Sequence, residues 1–157
     1  MESANESWKK DPPADASEKQ RLSKSRDALL ALHKTLVDSE RIAYEKTVGA
    51  IQGPNHFLQL LTSDPWFAWL HPISELIVSM DEALDGKEIL TRSTVAAMLE
   101  QVGRLLVASE IGEGFSRHYF EALQENPDVV FAHAEVMNRM GRPRSSPGAP
   151  EPTAGSE

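Results

Sequence analysis

Between Ser17 and Ile51 the chain carries one apolar stripe at helical spacing, with no proline and a single glycine, Gly49, near its end. Leu22, Leu29, Leu36, Ala43 and Ala50 recur every seven residues, with Leu30, Val37, Tyr44 and Ile51 beside them. Leu32 and Val48 widen the stripe. This period predicts one long α-helix. At 1.5 Å per residue it would reach about 50 Å. Such a helix depends on tertiary packing along its apolar face, so the rest of the chain has to supply partners for it. Ser17 is the expected N-cap, and Gly53-Pro54-Asn55 the expected stop.

The remaining segments read as those partners. His56–Thr62 is a short apolar turn or helix. Asp64 and Pro65 form a helix start, with Asp64 as cap and proline at the first position. Pro72, seven residues on, predicts a kink or restart near His71. Ile73, Leu76, Ile77, Met80 and Leu84 then mark one face, closed by Asp85-Gly86. Thr91 or Ser93 caps a helix whose inner face holds Val95, Met98, Leu99, Val102, Leu105, Leu106 and Ile111. After Gly112-Glu113-Gly114, a short helix carries Phe115, Tyr119, Ala122 and Leu123. Asn126-Pro127 starts the last one, with Val129, His133, Val136, Met137 and Met140 inward. No segment alternates as a strand does.

The expected fold is all-α: a single four-helix-type bundle over residues 17–140, with a long first helix, a proline-kinked second over 65–84, a third over 92–111 and a broken last one over 114–140. Short connections favour antiparallel neighbours. Residues 1–16 and 141–157 are too poor in apolar side chains to offset the entropy of ordering them, and read as disordered tails.

Composition removes several classes of chemistry. The chain has no cysteine, so disulfides, thiolate zinc sites, iron–sulfur clusters and a cysteine nucleophile are excluded. A net charge of −8 argues against nucleic acid as a partner. No apolar run approaches the length of a membrane span, and the polar start does not read as a secretory signal. The expected setting is cytoplasmic. The first helix is mildly basic, whereas from Asp64 to Glu135 only Lys87, Arg92, Arg104 and Arg117 stand against a much longer series of carboxylates. Either the two halves attract each other within the fold, or the acidic face receives a basic partner.

Among sites of chemistry, metal in a helical bundle comes first. No Glu is followed three residues later by His, the pair that ferritin-like di-iron bundles use. His33-x4-Asp38 and His71-x3-Glu75 resemble fragments of a hemerythrin-like pattern, and that resemblance implies histidine-rich helices holding two irons. The His-x3-His helix of that family is missing. Asp38 also lies about 140° around the helix from His33. His118 and His133 complete the six residues of this alternative, a metal- or small-ligand-binding bundle; no cofactor is otherwise expected. Gly-x-Ser-x-Gly is absent, and Gly112-x-Gly114 lacks the strand a nucleotide loop requires. The acidic pairs Asp81/Glu82/Asp85 and Glu110/Glu113 read as solvated surface rather than acid–base machinery.

The densest feature is Asp64-Pro65-Trp66-Phe67-Ala68-Trp69-Leu70-His71-Pro72, which holds two of the three tryptophans between two prolines. Trp66, Phe67 and Trp69 cannot all share one helical stripe. They form either a lid closing one end of the bundle or an anchor for a partner, with Tyr119 and Phe120 as candidates to complete the same patch. The expected function is non-enzymatic: protein–protein contact or self-association through a protein partner or homo-oligomer, without nucleic acid or membrane.

Overall fold

The computed structural model describes residues 11–141 and is all-α. The long helix α1 spans Ala16–Thr47 and is followed by the short α2, Pro54–Ser63. A 3-10 turn at Pro65–Leu70 leads into α3, His71–Asp85. Helices α4, Arg92–Leu105, α5, Phe115–Glu125, and α6, Pro127–Met140, complete the chain. Among the described residues no helix is long and apolar enough to cross a membrane.

Directions follow from who meets whom. Arg26 in α1 pairs with Asp81 near the end of α3, and Arg21 approaches Gly141 just past α6. Helix α4 begins beside the start of α1, where Arg92 reaches Glu18 at 2.9 Å. It ends beside the start of α3, where Leu105 shares a cavity with Pro72 and Leu76. Thus α1, α3, α4 and α6 alternate in direction around one core. Leu22, Leu29, Leu32 and Leu36 of α1 are fully buried there, with Ile73 and Met80 of α3, Val102 of α4, and Val129 and Val136 of α6. Each such side chain contributes roughly 1.5–3 kcal/mol through burial.

Several boundaries moved for local reasons. The long helix starts at Ala16 because Asp15, not Ser17, is the N-cap: Asp15 accepts from the Glu18 N–H at 2.8 Å, and the Glu18 carboxylate accepts from the Asp15 N–H at 2.9 Å. This reciprocal box satisfies two donors that a helix start leaves unpaired. The end falls at Thr47, before Gly53, because Gly49 turns to a φ of 153°, a region open to glycine at no steric cost. Pro65 and Pro72 act as expected. Asp64 accepts from the Trp66 N–H, the turn stays 3-10, and Pro72 sits in the first turn of α3.

Helix α4 stops at Leu105 rather than near 111, since Leu106 leaves helical geometry with ψ 50°. Ile111, expected on its inner face, is consequently 94% exposed. Leu30 and Val48, assigned to the α1 stripe, are also exposed, because no helix covers that flank of α1. The folded part begins earlier than residue 17. The Ala14 N–H donates to the Leu90 carbonyl, the Arg92 N–H donates to the Pro12 carbonyl, and Ala14 is buried. The expected tails otherwise lie outside the described residues.

Charge attraction between the halves is sparse. Arg26–Asp81 joins α1 to α3, and Arg92 joins α4 to Asp15 and Glu18. The other described ion pairs link neighbours within one helix.

Candidate functional site

The proline-bracketed aromatics close the bundle at the C-terminal half of α1. Phe67 has no exposed surface and lies between Tyr44 and Phe57, with ring centroids 5.7 and 5.8 Å away. Trp66 meets Tyr44 edge-on at 5.7 Å. Trp69 stacks on His118 at 5.2 Å and packs on Phe115 at 5.5 Å. Phe115 in turn stacks on Tyr119. Spacings and angles of this kind favour the ring quadrupoles beyond simple burial.

The residues expected to face a partner therefore divide. Phe67 and Tyr119 are fully buried and Trp69 nearly so; only Trp66 and Phe120 keep part of their surface. Phe67, Trp69 and Tyr119 form the lid of the core. Phe67 and Trp69 leave the 3-10 turn in different directions, Phe67 toward Tyr44 of α1 and Phe57 of α2, and Trp69 toward Phe115 and His118 of α5. Tyr119, on α5 itself, packs against His133 of α6.

Beneath the lid lies a group that sequence reasoning missed. Glu40 of α1 is half-buried, and its carboxyl is pushed above the usual range, first by burial and then by the carboxylates of Glu125 and Glu121; the Trp66 and Trp69 indoles act in the opposite sense. Glu40 is near enough to Trp66 to feel the indole dipole but does not complete a hydrogen bond, so Trp66 Nε1 stays buried without a partner among the described residues. Glu40 occupies an ordinary-looking place in a helix, and only tertiary contacts make it unusual. A shifted carboxyl is one requirement of acid–base catalysis. The other is a cleft beside it, and the hollows on the α1–α2 flank do not include Glu40.

The six residues of the metal alternative are not brought together. His33 and His71 lie across α1 and α3 from one another, and His71 Nε2 contacts the Leu61 carbonyl at 3.0 Å. His118 stacks on Trp69, and His133 Nδ1 meets the Tyr119 hydroxyl at 2.6 Å. Asp38 and Glu75 are exposed on different helices. Among the described residues no three His, Cys, Asp or Glu side chains converge as a ligand set. The helical spacing that suggested His33 with Asp38, and His71 with Glu75, does not carry across helices.

The flank of α1 beside α2 carries open apolar surface. Leu30, Ala31, Val37 and Leu61 line a groove of about 550 Å³, edged by Asp27, His33 and Lys34. Leu61 also belongs to an adjoining hollow of about 470 Å³, lined with Phe57, Leu58, Pro54 and Arg41. Leu30 is 50% and Leu58 60% exposed. The Arg41 guanidinium sits 5.0 Å over the Phe57 ring, and Lys34 edges the neighbouring groove about two turns earlier in α1. Val130 and Phe131 make a smaller exposed pair on α6.

No protein-family model, curated protein or solved structure matches this chain. Its own surface is the ground for a functional reading.

Proposed function

We propose that this bundle acts by protein–protein contact, seating an amphipathic helix of a protein partner along the α1–α2 flank. The supporting observation is the continuous open groove from Leu30 through Leu61 to Leu58. Helix-in-groove recognition uses apolar anchors at i, i+3, i+4 and i+7, and two joined hollows suit two such anchors. Lys34 and Arg41 stand along the rim, which favours a helix with carboxylates beside its apolar stripe. Asp27 at the far end is engaged by Arg26 at 3.0 Å. In this reading the chain is not an enzyme, takes no nucleic acid, and works in the cytoplasm, in keeping with its cysteine-free composition.

Photo-crosslinking from a benzoylphenylalanine placed at Leu30 or Leu58, in cells expressing the full chain, tests this. A discrete adduct from both sites, none from Glu100 on α4, and loss of the adduct on Leu61→Glu is the expected pattern. Sedimentation of the purified chain separates the two kinds of partner: a dimer abolished by Leu61→Glu would make the occupant a second copy. Equal labelling from Leu30 and Glu100, or none from either flank site, would refute the proposal.

A further inference from the structure

Helix α6 turns an apolar stripe outward. Pro127, Val130, Phe131 and Ala134 stand at i, i+3, i+4 and i+7 and are all exposed, Phe131 by 72%. Val129 and Val136, on the other face, are the ones buried in the core. The outer spacing is that of an amphipathic helix entering a groove. One edge of the stripe is acidic. Asp128 and Glu135 lie seven residues apart, hence about 10.5 Å along the axis.

The α1–α2 groove carries the complementary pattern. Its rim cations, Lys34 and Arg41, are also seven residues apart on one helix, again about 10.5 Å. Among the described residues neither Lys34 nor Asp128 is in an ion pair. Arg41 reaches Glu45 at 3.5 Å and Arg139 reaches Glu135 at 2.6 Å, each within its own helix. Set α1 and α6 side by side in the same direction, with Lys34 against Asp128. Counting along both helices then puts Arg41 against Glu135 and Glu45 against Arg139, so the two intrahelical pairs merge into one alternating set of four charges. Phe131 falls level with Val37, a wall of the hollow it would fill. In the opposite direction Asp38 would face Phe131 and Arg139 would face Leu30, both poor matches. Within one chain α6 runs antiparallel to α1, with Arg21 near Gly141, so only another copy can present α6 in this way.

We infer that the occupant of the α1–α2 groove is a second copy of this chain, which seats the outer face of its α6 there with Phe131 as the anchor. The assignment rests on the docking reading above and names its partner. An aromatic side chain in an apolar hollow is where interface energy concentrates, and the seven-residue match of opposite charges fixes register and direction. The groove and the α6 stripe are different surfaces of one protomer, so the contact is heterologous.

Sedimentation velocity on the purified full chain, over a range of concentrations, tests this with two variants at exposed positions. Leu58→Glu spoils the groove and Phe131→Glu spoils the α6 stripe. The wild type is expected to associate and each variant alone to stay monomeric. An equimolar mixture of the two should form heterodimers at raised concentration, because one chain keeps the helix and the other keeps the groove. Lys34→Glu and Asp128→Lys should each weaken association several-fold, and both together in one chain should restore it. A wild type that stays monomeric, an association indifferent to Leu58→Glu or Phe131→Glu, or a mixture that never pairs would overturn the inference. Monomeric wild type together with adducts from Leu30 and Leu58 to a different protein would overturn it while leaving the docking reading in place; the absence of any flank adduct would remove both.

Discussion

The hydroxyl of Tyr119 lies 2.6 Å from Nδ1 of His133, tying α5 to α6 at the aromatic lid. Burial pushes the Tyr119 phenol well above its ordinary value and His133 below its own; both shifts favour the neutral forms, in which the phenol O–H can donate to an unprotonated Nδ1.

Tyr119→Phe removes the donor and leaves His133 Nδ1 with a poorer environment, at a cost of about 1 kcal/mol in chemical denaturation. Because that bond favours neutral imidazole, the His133 pKa measured by proton NMR should rise in the variant. The sign for wild-type stability follows from the lowered value. A histidine with a depressed folded-state pKa binds protons more readily when unfolded, so its contribution is complete above its usual 6.5 and is lost as pH falls below that. His33, also lowered by burial and by His71, adds in the same direction. Melting temperature should therefore drop between pH 7 and pH 5.5, and His33→Gln should flatten that slope.

Glu40 works in the opposite direction. Its raised folded-state pKa means the folded chain binds the proton more readily, so stability falls as pH rises from the usual 4.5 through the raised value. Glu40→Gln keeps the shape and removes the desolvated charge and its repulsion from Glu125 and Glu121. The variant should melt higher than wild type at pH 7, with the gap closing toward pH 4.5. A variant that melts lower at pH 7 would mean that the indoles of Trp66 and Trp69 hold the ionised form instead.

Ser25 has no exposed surface, and its hydroxyl finds no hydrogen-bond partner among the described residues. A buried hydroxyl without a partner is unfavourable, and serine is a weaker helix former than alanine. Ser25→Ala should stabilise the bundle by about 1 kcal/mol in urea unfolding, with an unchanged m-value.

Asp15 caps the longest helix and also lies 4.0 Å from Arg92. Asp15→Ala should cost about 1 kcal/mol through the lost cap. Asp15→Asn keeps the capping oxygen and should recover most of it, since the exposed Arg92 contact is worth little. Circular dichroism during thermal unfolding reads both.

Much of this fold was legible because local chemistry marks helix ends. Asp64-Pro65, Thr91 and Asn126-Pro127 cap where their residue types say they should, and the apolar stripes of α3 and α6 are the buried ones. Several readings that depend on the neighbour across the gap failed. Leu30 and Ile111 fit a helical period as well as Leu29 and Leu106 do, yet no helix closes over the first and α4 ends before the second. Asp15 was lost to a supposed tail because the strap that orders it pairs with Leu90 and Arg92, far along the chain. Glu40 looks like any solvated glutamate until Trp66, Glu121 and Glu125 are placed around it. The aromatic segment showed its density but not its direction, which the 3-10 geometry decides.

Helix α2 has only Leu60 among the buried core residues, and its main support is the 3-10 turn that follows it. Its glycine N-cap makes no side-chain hydrogen bond. Ten residues held so lightly form a unit able to swing away while α1, α3, α4 and α6 keep their core, so their amides should exchange with solvent through a cheap sub-global opening. A helix seated in the proposed groove would therefore meet one wall that opens more cheaply than the other.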